Sequence, residues 1–331
     1  MRNQLIDSFG RQIDYLRVSV TDHCNFRCFY CMPSEGIDGA RNNEFLSYGE
    51  MAHLIRLFSE LGVSKVRFTG GEPLLRRNMV ELVRQVHAIP EIRNLSLSTN
   101  AHLLERYAGE LREAGISRVN ISIDSLEPEN FSRITRGGDL SVVIRGIDAA
   151  VAAGMQPVKL NMVVMKSLND HEIEAMLEFA SQRNVELRFI ETMPVGAGID
   201  MTKYFYPADK ILERIRQRFG TELIPVKGAK GAGPASYYQV GSGPLRIGVI
   251  TAMSQHFCAG CNRVRLTAKG ELVLCLGREN TISFREPLRN GSTDEELKQL
   301  IRSAILRKPE RHDFTGEPTA IPLHRMSRLG G

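Results

Sequence analysis

The six cysteines of this 331-residue chain fall into two groups of three. The first group consists of Cys24, Cys28 and Cys31, and the second of Cys258, Cys261 and Cys275. In a reducing compartment disulfides are disfavoured, and clustered thiolates usually bind metal. The spacing therefore predicts two metal centres and not three disulfides.

Three thiolates in one short loop suit a particular kind of cofactor. They can hold three irons of a [4Fe-4S] cluster and leave the fourth iron without a protein ligand. That fourth iron is free to bind a small molecule. The alternative for the first group is a structural zinc site completed by His23, although zinc ligands usually occur as close pairs with a distant second pair. For the second group taken alone, the alternative is a zinc knuckle.

The elements that position these cysteines follow a repeated pattern. From Tyr15 to Glu191, short runs of alternating apolar and polar residues exchange with helical patterns, which is typical of βα units and a parallel sheet. An antiparallel sheet with one wet face is the alternative, which the intervening helices disfavour. The first cysteine group follows the first strand, on the face where barrel active sites are built. The predicted strands lie near residues 15–20, 65–69, 94–98, 118–123, 158–164 and 185–190.

Polar residues alternate with apolar ones inside these strands, although parallel strands covered by helices are normally apolar throughout. If the apolar residues face the helices, the inward set includes Arg17, Arg67, Ser98, Ser122 and Lys159. A complete eight-stranded barrel fills its interior with branched apolar side chains. The pattern therefore predicts an α/β fold, an incomplete (βα)6 barrel with a polar lumen. Cations buried there need an anion, and a triphosphate provides one.

Other polar residues of the predicted lumen are interpreted as supporting groups around the ligands. They are Asn100, Asn120, Asp124, Asn161, Arg188 and Glu191. By contrast, Arg76, Arg77 and Arg112 are interpreted as ordinary solvated surface charges.

The sequence changes character after residue 191. Glycine and proline are frequent there, and helices are predicted near residues 207–219 and 294–306. Short strands are predicted at 236–240, 245–250, 263–267 and 271–275. A turn around Gly270 joins the last two strands, so a hairpin brings Cys275 back toward Cys258 and Cys261. We predict a partial barrel over residues 1–200 and an α+β extension over residues 201–331 that closes the open side of the barrel.

Composition excludes several classes of protein. The net charge, 43 basic minus 38 acidic residues or +5, is too small and too evenly spread for a polybasic nucleic-acid binder. No apolar run approaches the roughly 20 residues of a membrane span, and the N-terminal residues lack the apolar region of a signal peptide. We therefore expect a cytoplasmic protein that binds a small anion and neither nucleic acid nor a membrane.

The first cysteine group resembles the signature of radical S-adenosylmethionine enzymes, because the sequence Gly70-Gly71-Glu72-Pro73 follows the second strand. The resemblance implies that the amino and carboxylate groups of S-adenosylmethionine chelate the open iron, and that an electron from the cluster cleaves S-adenosylmethionine to give a hydrogen-abstracting radical. The glycines would let the loop receive the methionine ammonium. The implied S-adenosylmethionine residues are Tyr30, Gly71, Ser122 and Met193. A simple apolar packing role is the alternative for Met193.

The second cysteine group, with its Asn262-Arg263-Val264-Arg265 sequence and the terminal Gly330-Gly331, resembles the GTP 3′,8-cyclase family over essentially the whole chain. The resemblance implies a second [4Fe-4S] cluster whose open iron binds guanine. The implied GTP residues are Arg17, Arg67, Ser98, Lys159, Arg263, Val264 and Arg265. The implied catalytic residues are Arg17, Arg263, Arg265, Gly330 and Gly331.

The implied reaction abstracts hydrogen from C3′ of GTP, joins C3′ to guanine C8 and reduces the cyclised radical, as the first step of molybdenum cofactor biosynthesis. The implied partners are an external electron donor of the flavodoxin or ferredoxin type, the next enzyme, cyclic pyranopterin monophosphate synthase, and a second copy in a homodimer. The chain departs from the family pattern at Ala101, where many relatives carry glycine, and at Arg328 and Leu329. Two rival functions are a two-cluster, peptide-modifying maturase and a non-enzymatic iron–sulfur or zinc protein.

Overall fold

The structure is a computed structural model, and it describes residues 4–35, 44–195, 200–220, 222–226, 233–243, 245–278, 280–312, 314 and 326–329. The strands are β1 (Tyr15–Ser19), β2 (Lys65–Thr69), β3 (Asn94–Thr99), β4 (Arg118–Ser122), β5 (Val158–Val164), β6 (Glu186–Glu191), β7 (Leu223–Val226), β8 (Ser236–Val240), β9 (Arg246–Ile250), β10 (Arg263–Leu266), β11 (Glu271–Val273) and β12 (Thr281–Ser283). The helices are α1 (Tyr48–Glu60), α2 (Met79–His87), α3 (Leu104–Glu113), α4 (Pro128–Thr135), α5 (Leu140–Ala152), α6 (Ile173–Gln182), α7 (Ala208–Phe219), α8 (Arg285–Arg289), α9 (Asp294–Leu306) and α10 (Met326–Leu329). Within these ranges, no helix has the length and apolar character needed to span a bilayer.

All twelve strands belong to one sheet, in the order β12-β11-β10-β1-β2-β3-β4-β5-β6-β9-β8-β7. Strands β1 to β6 pair in chain order and are all parallel, so the predicted βα units are confirmed and the antiparallel alternative is wrong. Strands β10 and β9 join the two edges of this set, again in parallel. The extension therefore continues the barrel sheet from both sides, which the sequence patterns did not predict.

Local sequence explains where the predicted helices begin and end. Ser47 and Glu50 form a capping box at the start of α1, as the sequence predicts. Gly62, with a φ of +105°, ends that segment in the left-handed region. Helix α4 was not predicted, although a proline at its first position is a common helix start.

The strand alternation sorts side chains between two environments. Leu16, Phe68 and Leu160 are fully buried in one hydrophobic cluster with helix residues such as Phe58 and Leu111. The residues between them in sequence point to the other side of the sheet, because successive strand side chains alternate. The predicted division into an apolar outer face and a polar lumen is confirmed.

Candidate active site

The two cysteine groups lie at opposite ends of a pair of neighbouring strands. The first group follows the carboxyl end of β1, whereas Cys258 and Cys261 precede the amino end of β10. These strands are parallel, with Tyr15 opposite Arg263. Five residues of strand rise roughly 16 Å at about 3.3 Å each, and this length separates the groups along the barrel. The predicted β10–β11 hairpin is confirmed and brings Cys275 back to the amino end of β10.

The first cysteine loop packs directly on the Gly70-Gly71 loop. The Gly71 amide donates to the Thr21 carbonyl at 2.7 Å, and the Glu72 amide donates to the His23 carbonyl at 2.8 Å. A Cβ added to Gly71 would lie 2.1 Å from the His23 oxygen. Close contact between two backbones therefore requires glycine at position 71, and the predicted role of the loop in receiving the methionine ammonium stays a prediction.

Glu72 joins this loop to the end of β3. Its fully buried carboxylate accepts hydrogen bonds from the Thr99 hydroxyl at 2.8 Å, the Asn100 amide at 2.7 Å and the Leu74 amide at 3.0 Å. Burial raises the pKa of Glu72 to about 7, although these donors oppose the shift. The Asn100 side-chain nitrogen lies 3.8 Å from the Cys24 sulfur, so this network borders the first cysteine group.

The two cysteine groups differ in their electrostatic surroundings. Burial, assisted by Glu72, raises the pKa of Cys24 to about 11. In the second group burial opposes ionisation, but Arg263 and Lys308 outweigh it and lower the pKa of Cys261 to about 7. Burial thus disfavours the thiolate of Cys24, whereas nearby positive charge favours the thiolate of Cys261.

All six cysteines are free thiols, so the donor set suits metal binding. Neither group brings its three sulfur atoms within 4.8 Å of one another. A single tetrahedral zinc ion requires sulfur atoms only about 3.8 Å apart, given Zn–S bonds of about 2.3 Å. A four-iron cluster binds each cysteine at a different iron and spaces the sulfurs further apart. At least one pair of sulfurs in each group is therefore further apart than the ligands of a single tetrahedral zinc ion.

A row of arginines crosses the lumen between the cysteine groups. Arg17 lies opposite Arg67 on one side and opposite Arg265 on the other. Burial, and next the charge of Arg265, lower the pKa of Arg17 well below its usual value. Burial and the charge of Arg263 lower the pKa of Arg265 to about 10. Such mutually repelling cations favour the binding of an anion.

The electrostatic environment of Lys159 differs from that of these arginines. Its ammonium forms a short ion pair with Glu186 and donates to the Tyr237 hydroxyl at 3.0 Å. Glu186 already balances its charge. Arg67, by comparison, stacks over the Tyr15 ring at 5.5 Å and donates to the Ser96 hydroxyl at 3.2 Å.

Five buried polar atoms on the strands of the lumen have no hydrogen-bond partner. They are Tyr15 Oη, Ser98 Oγ, Asn161 Oδ1, Arg188 Nε and Arg265 Nε. Buried polar atoms are nearly always paired in folded proteins, so an unpaired set on one surface indicates a polar ligand. These atoms lie on β1, β3, β5, β6 and β10, and surround a shared space.

The implied S-adenosylmethionine residues lie toward the carboxyl ends of the strands. The Tyr30 hydroxyl donates to the Asp124 carboxylate at 2.6 Å, which orients the ring. Ser122 ends β4 and lies opposite Asn161. Met193 lines a cavity of about 420 Å³ with Met253 and Phe314, so it borders open space.

Several other predicted residues have specific positions. The Val264 side chain is fully buried in the apolar core, so the side chain itself lies outside the lumen. Glu191 was interpreted as a supporting lumen group, but it accepts from the Ala208 and Met253 amides, both at 3.0 Å, and fastens the extension to the barrel. Gly330 and Gly331 lie outside the described residues.

The interpretation of Arg76 as a solvated charge is wrong. Its guanidinium donates to the Val20 and Leu46 carbonyls, each at 2.6 Å, and lies 4.4 Å from the Tyr48 ring centre. Arg76 therefore supports the strand end that leads into the first cysteine loop. Arg112 is exposed, as predicted.

The sequence departures have structural consequences. Ala101 adopts a φ of +62°, a conformation that glycine accepts without strain. Arg328 pairs with both carboxylate oxygens of Glu271, at 3.3 and 3.2 Å, and Leu329 is buried. These two contacts anchor the chain close to its end.

Sequence reasoning missed two aromatic residues of the lumen. Tyr15 has the same strand parity as Arg17, so the alternation contained a signal for it. Tyr237 lies on β8 in the extension, and nothing in the sequence predicted that β8 and β9 would continue the barrel sheet.

Two family profiles match adjoining parts of the chain. The profile of the radical SAM superfamily matches residues 18–180, and the profile "Molybdenum Cofactor Synthesis C" matches residues 185–314. The chain is similar over its whole length to proteins named GTP 3′,8-cyclase. The identity is 51% with the protein from Hydrogenovibrio crunogenus, covering 99% of each chain, and 44% with that from Syntrophomonas wolfei, covering 99% of this chain and 100% of the relative.

The fold is similar to that of a solved protein bound to S-adenosylmethionine. Streptococcus suis SuiB bound to S-adenosylmethionine matches with a TM-score of 0.57 at 15% identity, covering 91% of this chain and 73% of that one. At this identity the likeness shows the fold alone. The full-length sequence relatives carry the functional comparison.

Proposed function

This chain belongs to the GTP 3′,8-cyclase family of radical S-adenosylmethionine enzymes, and from that membership we propose how its own residues divide the work. It converts GTP into (8S)-3′,8-cyclo-7,8-dihydroguanosine 5′-triphosphate, the first step of molybdenum cofactor biosynthesis. A [4Fe-4S] cluster and S-adenosylmethionine are the cofactors of the superfamily. When bound, they supply the radical that removes hydrogen from C3′ of GTP.

Cys24, Cys28 and Cys31 hold this first cluster in the proposal. Tyr30, Gly71, Ser122 and Met193 hold S-adenosylmethionine beside it. The support is positional, since these residues lie around the carboxyl ends of β1, β2, β4 and β6. The Asp124 carboxylate fixes Tyr30, and contact with the cysteine loop fixes Gly71.

Cys258, Cys261 and Cys275 hold a second [4Fe-4S] cluster, whose open iron receives the guanine. Two observations support this assignment: the positively charged surroundings of Cys261 and the place of the group at the opposite end of the lumen. In GTP bound between the two cysteine groups, the guanine is held at the second group and the ribose faces the radical source at the first group.

The observation that carries the proposal is the row of buried and half-buried arginines beside unpaired lumen atoms. Arg17, Arg67, Arg263 and Arg265 bind the triphosphate, because guanidinium groups match phosphate oxygens and need a counter-charge. Ser98 donates from its unpaired hydroxyl. Lys159 contributes less charge, since Glu186 holds it, and Val264 contributes only through its main chain.

We assign the radical-generating work to residues 1–200 and substrate anchoring to residues 201–331. The cluster receives electrons from an external donor of the flavodoxin or ferredoxin type. Segments that contact the first cysteine loop expose several cations toward such an acidic partner: Arg27, Arg133, Arg136, Lys166 and Lys203. A homodimer in the cytoplasm that passes its product to cyclic pyranopterin monophosphate synthase completes the proposal.

The test uses anaerobically reconstituted protein with S-adenosylmethionine, dithionite and each common nucleoside triphosphate in turn. Of these nucleotides, only GTP should yield a cyclised product, and methionine and 5′-deoxyadenosine should form in equal amounts. Deuterium placed at C3′ of GTP should appear in the 5′-deoxyadenosine. Deuterium-free 5′-deoxyadenosine, or equal turnover of ATP, would contradict the assignment.

A further inference from the structure

Two buried cations far apart in sequence hold the main chain beside the second cysteine group. Arg11 lies in the N-terminal segment, 247 positions from Cys258, and Lys308 follows α9. Arg11 is 9% exposed and Lys308 is 3% exposed. Neither belongs to the lumen rows, so the proposed reaction leaves their burial unexplained.

Arg11 uses its guanidinium fork to join three separate segments. Its Nη1 donates to the Cys258 carbonyl at 2.9 Å and to the Glu310 carbonyl at 2.6 Å, and its Nη2 donates to the Pro309 carbonyl at 2.6 Å. Its Nε donates to the Asp7 carboxylate at 2.6 Å, which balances the charge. Arg11 therefore forms an ion pair with Asp7 and at the same time fixes the main chain at Cys258 and at residues 309–310.

Lys308 holds the other end of the cysteine group. Its ammonium donates to the Leu274 carbonyl at 2.6 Å, immediately before Cys275. Burial lowers the pKa of Lys308, and negative charge on Cys261 and Cys275 opposes this shift. A buried ammonium is costly unless negative charge is close, and thiolates bound to a cluster provide that charge.

We propose that Arg11 and Lys308 are positioning residues of the second cysteine group. Arg11 fixes the main chain at Cys258, and Lys308 fixes the main chain just before Cys275. Arg11 also binds the Pro309 and Glu310 carbonyls, so the segment 308–310 connects the two contacts. The inference rests on the proposed second cluster. The proposal gives the N-terminal segment and the segment after α9 a role in assembling a metal centre, although neither segment provides a ligand. The Cys258 and Leu274 carbonyls, each held by a buried cation, fix the main chain at the two outer cysteines of the group.

The test compares Arg11→Met, Arg11→Lys and Lys308→Met with Arg307→Met, which removes a neighbouring exposed cation. After anaerobic reconstitution, wild type and Arg307→Met should hold about eight irons per chain, and the three other variants should fall toward about four. The electron paramagnetic resonance signal of the first cluster with S-adenosylmethionine should persist. Arg11→Lys should fail like Arg11→Met, because a lysine lacks the fork.

A second measurement separates positioning from general stability. In cluster-free protein, alkylation followed by mass spectrometry should show faster modification of Cys258, Cys261 and Cys275 in the Arg11→Met and Lys308→Met variants, with Cys24, Cys28 and Cys31 unchanged. Equal acceleration of both groups, or eight irons retained in both variants, would overturn the inference. About four irons per chain in the wild type would instead contradict the proposed second cluster itself.

Discussion

Arg17 of β1 and Arg265 of β10 lie directly opposite one another in the register of two parallel strands. The pairing of their strands joins the N-terminal part of the barrel to the C-terminal extension. Arg265 is buried and Arg17 is half-buried, and the positive charge of Arg265 adds to burial in lowering the pKa of Arg17. An anionic ligand relieves this repulsion, so substrate binding and closure of this strand pair stabilise each other.

Removing the lumen arginines should weaken the handling of GTP. Arg17→Ala, Arg67→Ala and Arg265→Ala should each lower cyclised-product formation by about one to two orders of magnitude, since a charge-assisted contact contributes about 1.5–3 kcal/mol. Lys159→Ala should have a smaller effect, because Glu186 already balances that charge. Product formation and iron content are measured together, and iron should not change.

The matched control for these variants is Arg112→Ala, since Arg112 is exposed. Arg76 is unsuitable because its hydrogen bonds support the strand end before the cysteine loop. An Arg112→Ala enzyme as impaired as Arg67→Ala would disprove the assignment of the arginine row to the substrate.

Iron content should report the two cysteine groups separately. Replacing Cys258, Cys261 and Cys275 together by alanine should lower iron from about eight to about four per chain. Some reductive cleavage of S-adenosylmethionine should persist, because the first group is intact. Unchanged iron in the triple variant, or a zinc content equal to the protein content in wild type, would rule out two clusters.

Gly71→Ala should separate the first cysteine loop from the loop that supports it. The new methyl group would lie 2.1 Å from the His23 carbonyl, and overpacking of this kind costs about 1–3 kcal/mol. S-adenosylmethionine binding and the first-cluster signal should both weaken. In Gly109→Ala the new methyl group meets nothing within 4 Å inside α3, and helix propensity should raise stability by about 0.5–1 kcal/mol. Equal effects of the two variants would refute the backbone-contact explanation.

Glu72 should make the stability of the cluster-free protein depend on pH. Its pKa is about 7 in the folded protein against 4.5 ordinarily, so the folded state holds the extra proton between these values. Stability should therefore fall as pH rises from about 5 to 8, by on the order of 3 kcal/mol from this group. Denaturant unfolding of wild type and Glu72→Gln measures it, and the variant should show a shallower pH dependence. Identical slopes would show that the carboxyl is ionised throughout.

Deleting Gly330 and Gly331 should abolish or severely reduce cyclisation, with iron content, thermal stability and GTP binding nearly unchanged. Two glycines bury almost no apolar area, so folding does not depend on them. The contacts of Arg328 and Leu329 anchor the chain just before this point. A synthetic peptide ending in Leu-Gly-Gly should partly restore product. Full activity of the truncated enzyme would show that the tail is only a terminus.

The alternation of Arg17 with Leu16 and Val18 was sufficient to predict the lumen, because strand parity and burial are local properties. The joining of β10 to β1 was not predictable in this way, since pairing between distant segments depends on the whole fold. The Arg263-Val264-Arg265 sequence nevertheless has the alternation of a lumen strand. The support given by Arg76 and Glu191 also escaped prediction, because their partners are main-chain groups that leave no mark in sequence.

The pairing of β1 with β10 cannot form during synthesis until long after β1 has been translated. Tyr15 and its neighbour Arg263 are 248 positions apart, so at about 5–20 residues per second the ribosome needs roughly 10–50 s to deliver the missing partner. Throughout that interval β1 can pair with β2 on one side only, and its other edge exposes open backbone groups of the kind that recruit foreign strands. The open edge of β1 thus persists while six barrel strands are already made, and the proposed second metal centre cannot be loaded before Cys275 has been translated.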